Sequence, residues 1–81
     1  MMRLMMNMEK LLTVLSEVRA DIDYRETDDL IDGGYFESID IISCIAAIED
    51  AFDISIEPYD ITPENFNSAE AMWKMISQKL N

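Results

Sequence analysis

Eighty-one residues with seventeen acids, six bases and no histidine carry a formal net charge of −11, and each of these facts removes a class of function. The length confines the chain to one small domain, residues 1–81, with a modest core and no room for a cleft walled by two domains. The thirteen Asp and Glu between positions 26 and 70, with no Lys or Arg among them, leave no basic patch for nucleic-acid phosphates or an anionic membrane surface.

Such a charge is either a solvated face that keeps the chain soluble or a lure for basic partners. The missing histidine excludes Ser-His-Asp and Cys-His catalysis. Scarce Gly and Pro, with many Leu, Ile, Met and Ala, favour helices over strands.

The first expected helix covers residues 7–19. Met8, Leu11, Leu12, Leu15 and Val18 recur at helical spacing, and Asn7 is placed as N-cap. Residues 1–6 are a Met-rich lead-in that frays or adds a turn. The start resembles a signal peptide only superficially, because Asn7, Glu9 and Lys10 interrupt its apolar part. No stretch reaches the roughly 20 apolar residues of a membrane span, so the expected setting is cytoplasmic.

Residues 20–37 form a connection of about 18 residues, long for so small a domain. Ile22, Tyr24, Leu30, Ile31, Tyr35 and Phe36 are spaced along it as apolar anchors. Gly33-Gly34 supplies a turn in which φ can be positive. Asp21, Asp23 and Asp32 imitate a calcium loop, but Arg25 stands where an oxygen ligand belongs and Glu26 where the turn needs Gly.

Residues 38–52 make the clearest helix. Ile41, Ile45, Ile48 and Phe52 form its apolar stripe, with Cys44 beside them. Ser38 is placed as N-cap and Asp40 in the first turn, where the helix dipole favours an acid. Ile42 and Ala46 lie off the stripe and leave apolar surface exposed beside Glu49 and Asp50. Cys44 is the only cysteine, so it forms no internal disulfide, and it reads as a buried small apolar group in a reducing compartment. Zinc ligation lacks a second cysteine and any histidine.

Residues 54–58 read as an extended connector, because Pro58 argues against a strand. Thr62 caps a short helical turn, with Pro63 at its first position. Asn67 and Glu70 are spaced as a capping box opening the last helix, whose apolar face is Met72, Trp73, Ile76 and Leu80. The expected fold is all-α: a four-helix bundle of three longer helices and one short one, with a long loop between helices 1 and 2.

The stretch from Leu30 to Asp40 (LIDGGYFESID), followed by a helix ending Ile48-Glu49-Asp50-Ala51-Phe52-Asp53-Ile54, resembles the acyl carrier protein family. Residues 61–68 resemble the third-helix region of freestanding bacterial carriers, so the likeness spans about residues 8–80. The resemblance implies that Ser38 bears a covalent 4′-phosphopantetheine arm, installed by a phosphopantetheinyl transferase that supplies the base and Mg²⁺. It implies a carrier of acyl or aminoacyl groups as thioesters, not an enzyme. It also implies a recognition face of Glu37, Ile39, Asp40, Ile42, Ala46, Glu49 and Asp50 for a loading ligase and downstream transferases with basic surfaces. The protein is expected to be a monomer. Most of the family has Asp before the serine, where this chain has Glu37. The stretches 36–40 and 62–66 point to a specialised carrier rather than the housekeeping fatty-acid one. An acidic helical interaction module without a prosthetic group, such as an inhibitor or nucleic-acid mimic, needs the same charge but not Ser38.

Overall fold

The computed structural model describes the backbone of residues 2–80 and the side chains of residues 8–80. Among them are four α-helices, three of them long, and no strand: α1 (Met2–Val18), α2 (Ser38–Phe52), α3 (Pro63–Phe66) and α4 (Ala69–Leu80). A 3-10 turn, Pro58–Asp60, precedes α3. Helix α1 packs against α2 and α4, and α3 against α4.

Helix α1 begins at Met2, not after an Asn7 cap, so Asn7 lies inside it and the expected start is corrected. Met, Leu and Arg are strong helix formers, and neither Gly nor Pro interrupts residues 1–19. A cap residue cannot start a helix where its neighbours already propagate one. Position 1, part of the lead-in expected to fray, lies outside the described residues. The buried face of α1 is Leu11, Val14 and Leu15, with Met8, Leu12 and Val18 half-buried at its edges. Val14 completes the helical spacing between Leu11 and Val18.

Helix α2 buries Cys44 and Ile48 fully, with Ile41, Ile45 and Phe52 beside them. Its last turn closes on Asp53, whose N–H donates to the Glu49 carbonyl at 2.9 Å. Asp53 takes the left-handed conformation (φ 55°, ψ 51°), a position usually given to Gly. Phe66, Met72, Met75 and Ile76 close the core from the α3–α4 side. Each such fully buried apolar side chain contributes about 1.5–3 kcal/mol.

The connection 19–37 packs by its own anchors. Leu30, Phe36 and Tyr24 are buried, Ile22 and Ile31 are half-buried, and Tyr35 stays exposed. Tyr24 meets Phe36 edge-on, with ring centroids 6.2 Å apart. Its hydroxyl proton is shared between the carbonyls of Leu15 (2.9 Å) and Arg19 (2.8 Å), at the C-terminal end of α1. Gly34 has φ 78°, as the turn requires. Gly33 is held by close approach instead: a Cβ there would lie 2.6 Å from the Asp29 carbonyl oxygen.

Two expectations near the third connection need correction. Asn67 does not cap α4. Its Oδ1 accepts the N–H groups of Ile31 (2.9 Å) and Asp32 (3.0 Å), and its Nδ2 donates to Asp32 at 3.0 Å. The Asn67 carbonyl also accepts from Leu30 N–H at 2.9 Å. With Asn67 taken by the loop, Ser68 becomes the cap, its Oγ accepting from Ala71 N–H at 3.0 Å. Thr62 caps α3 as expected, with Pro63 at the first position.

Residues 54–57 are extended, but Pro58–Asp60 form a 3-10 turn that the sequence pattern did not announce. Asp60 fastens it: its Oδ2 accepts from Glu57 N–H at 2.8 Å and from Lys79 Nζ at 2.7 Å. These bonds hold the Asp60 carboxyl below its ordinary range, Lys79 first and the Glu57 amide next. The same hydrogen bond raises Lys79.

Asn67→Ala is expected to destabilise the fold by about 1–2 kcal/mol, because two loop amides lose their acceptor. Ser68→Ala, which loses one cap, is expected to cost about 1 kcal/mol or less. Urea denaturation of both variants checks the order.

Candidate functional site

Ser38 is the first residue of α2, and the cap position belongs to Glu37 (φ −91°, ψ 173°). The expectation that Ser38 caps the helix is therefore corrected. The cause is Asp40, whose Oδ2 reaches back to accept Glu37 N–H at 2.9 Å. This places the helix boundary one residue earlier. The first bond of the ladder runs from Ile41 N–H to the Glu37 carbonyl at 3.0 Å. The N–H groups of residues 38–40 thus lie ahead of the intrahelical ladder. Ser38 is exposed, and its hydroxyl is not spent on capping.

One guanidinium holds the approach to this helix. Arg19 sits just past α1, and its Nε and Nη2 donate to the two oxygens of Asp21, each at 2.8 Å. Its Nη1 donates to Asp40 Oδ2 at 2.9 Å and to the Tyr35 carbonyl at 3.1 Å. The fork thereby joins the end of α1 to both flanks of Ser38. Sequence patterning gave Arg19 no role beyond the polar side of its helix. The available signal was its place as one of only two bases, with Arg25, between Lys10 and the base-free stretch 26–70.

The residues of the expected recognition face separate into two groups. Ile39, Ile42, Ala46 and Asp50 share one outward stripe of α2, and Glu37 is exposed at its head. Ile39 and Ile42 are 65% and 63% exposed, far from ordinary for isoleucine. Ser43 lies on the same stripe and was not singled out by the sequence pattern. Asp40 and Glu49 are engaged inside the molecule instead. The Asp40 side chain is only 13% exposed, against Arg19. Glu49 Oε2 accepts from Ile56 N–H at 2.8 Å and fastens the connector after α2.

Cys44 lies in the core, and burial pushes its thiol up to about 12, so it stays neutral and unreactive. Burial likewise raises the Tyr24 phenol to about 12. Two hollows of about 180 and 270 Å³ share Tyr24 and Arg25, and neither is lined by residues 37–50. Among the described residues no group of three or more metal-ligating side chains occurs, and no helix is long and apolar enough to cross a membrane.

Two relatives are similar to this chain over much of its length. Aminoacyl carrier protein 2 of Bradyrhizobium diazoefficiens is 32% identical over 68 residues, covering 84% of this chain and 75% of the relative. Aminoacyl carrier protein 1 of the same organism is 37% identical over 51 residues, covering 63% of this chain and 56% of the relative. No family model matches the chain, and no solved structure matches it.

The Arg19 fork sets an acid-side prediction. Its hydrogen bonds hold Asp21 at about 2, below the ordinary 3.8, so the folded state binds that proton less readily than the unfolded chain. The stabilisation is complete well above pH 3.8 and is lost as pH falls through about 2. Asp21→Asn is expected to flatten the fall in stability across that window, read from urea midpoints at stepped pH.

Proposed function

The chain belongs to the acyl and aminoacyl carrier protein family, and from that membership we propose that Ser38 is its attachment point for 4′-phosphopantetheine. The observation that carries this reading is the exposed Ser38 hydroxyl, free of capping duty, at the first position of an acid-flanked helix. The donor set fits the group. A phosphodiester on Ser38 would sit at a helix start whose leading N–H groups have no intrahelical acceptor and whose dipole favours a negative charge. When bound, the group supplies a thiol that holds an acyl or aminoacyl cargo as a thioester.

The chain's own part is presentation. Ser38 offers its oxygen to a phosphopantetheinyl transferase, and the protein performs no catalysis itself. Glu37 and Asp50 steer the basic surface of a transferase or loading ligase, while Ile39, Ile42 and Ala46 give it an apolar ridge to cover. Asp40 and Glu49 contribute to that field while shaping the face from within. The names of the two relatives favour an amino acid as cargo. The all-helical chain and its long first connection suit a monomeric carrier bundle. The buried lone thiol suits a reducing cytoplasm, where coenzyme A is at hand.

Mass spectrometry after incubation with coenzyme A and a broad-specificity transferase tests the reading. The wild type is expected to gain one phosphopantetheine and Ser38→Ala none. A wild type left unmodified by several transferases overturns it. Asp50→Lys is expected to raise KM for modification severalfold at low salt, with the difference shrinking as salt screens the pair. Unchanged kinetics would remove Asp50 from the face.

A further inference from the structure

Arg19 touches both sides of Ser38 without sharing its exposed surface. Its Nη1 holds the Tyr35 carbonyl (3.1 Å), three residues before Ser38, and Asp40 Oδ2 (2.9 Å), two residues after it. The same Asp40 oxygen accepts Glu37 N–H at 2.9 Å. Asp21 grips the other edge of the guanidinium through two bonds at 2.8 Å, which fixes the plane of the fork. The Arg19 side chain is 30% exposed, well covered for an arginine.

We propose that Arg19 is a positioning residue for the modification of Ser38: by joining the Tyr35 carbonyl to Asp40, it fixes the backbone that aims the Ser38 hydroxyl. The inference rests on the reading of Ser38 as the attachment point. In that reaction Ser38 Oγ bonds to the β-phosphorus of coenzyme A. The P–O bond of the pyrophosphate breaks, adenosine 3′,5′-bisphosphate leaves, and the hydroxyl proton passes to a base of the transferase. Arg19 contacts none of these atoms. It acts through Asp40 and the loop, where a small misplacement of the nucleophile costs rate.

Electrostatics alone makes the opposite prediction. Removing Arg19 makes an acidic carrier one unit more negative, so a basic transferase should bind it more tightly and react no more slowly. Lysine keeps the charge, but a compact ammonium cannot span Asp21, Asp40 and the Tyr35 carbonyl at once. Arg25 provides the matched control. It pairs with Glu9 on an exposed surface, and Arg25→Gln changes the net charge equally.

The experiment is single-turnover modification by excess transferase at saturating coenzyme A, for wild type, Arg19→Gln, Arg19→Lys and Arg25→Gln. Amide exchange of the unmodified proteins is followed alongside. The rate at saturation is expected to fall roughly ten- to hundredfold in Arg19→Gln, with no rise in the half-saturating transferase concentration. Arg19→Lys should recover part of the loss, and Arg25→Gln should keep the wild-type saturated rate. Exchange at the Glu37 and Ile41 amides should quicken in Arg19→Gln while the Ile76 amide in α4 stays protected. A saturated rate unchanged or raised in Arg19→Gln overturns the proposal. So does an equal loss in Arg25→Gln. If Arg19→Gln loses protection at Ile76 as well, Arg19→Lys decides: a folded lysine variant at the full wild-type rate overturns positioning. A wild type that no transferase modifies overturns the Ser38 reading and this inference together, whereas failure confined to the variants overturns this one alone.

Discussion

Two carboxylates in this protein do the same work with the same geometry, and both depend on a base from a distant part of the chain. Asp40 reaches back to the Glu37 amide and is held by Arg19; Asp60 reaches back to the Glu57 amide and is held by Lys79. Each pair starts a helical element and ties it to another helix. In a chain with seventeen acids and six bases, most carboxylates can have no such partner. Two of the bases, Arg19 and Lys79, are used where an acid is turned inward. What remains outward is almost wholly negative across residues 26–70.

That division shapes the candidate site. The acids nearest Ser38 are not equivalent, because Asp40 is internally engaged with Arg19 while Glu37 is exposed. The same holds farther along α2, where Glu49 secures the connector and Asp50 faces out. The outward acids flank a ridge of exposed isoleucines. Such a surface is soluble alone because its charges repel other copies, and it suits a partner that brings both cations and an apolar patch. Exposed charge pairs of this kind speed encounter without making release slow.

The core gives the site its rigidity. Phe36, two residues before Ser38, is buried against Tyr24, and its N–H donates to the Leu30 carbonyl at 2.9 Å. Asn67 clamps the loop at residues 30–32 from the α3–α4 connection. The loop therefore arrives at α2 fixed by packing behind and by the Arg19 fork beside it. No buried side-chain polar atom lacks a partner among the described residues, so this rigidity leaves no desolvated group unpaired.

By itself, the sequence determined what depends on local spacing and composition. Apolar periodicity located the long helices, the Thr62-Pro63 pair opened α3, Cys44 fell on a core side, and Ile42 and Ala46 fell outside it. The charge balance and the absence of histidine ruled out whole classes of chemistry. Tertiary structure alone decided which of several competent polar side chains took each task. Ser38 and Glu37 are both able to stand at the head of α2, and Asn67 and Ser68 at the head of α4. At α4 the outcome was set by a partner far along the chain, the loop amide of Ile31, 36 positions from Asn67; at α2 it was set by Asp40, three positions from Glu37, which Arg19 holds from 21 positions away. Asn67 and Ser68 are nearly equal as caps, while a made or lost hydrogen bond to a half-buried group is worth about 1 kcal/mol, so at α4 the long-range contact wins.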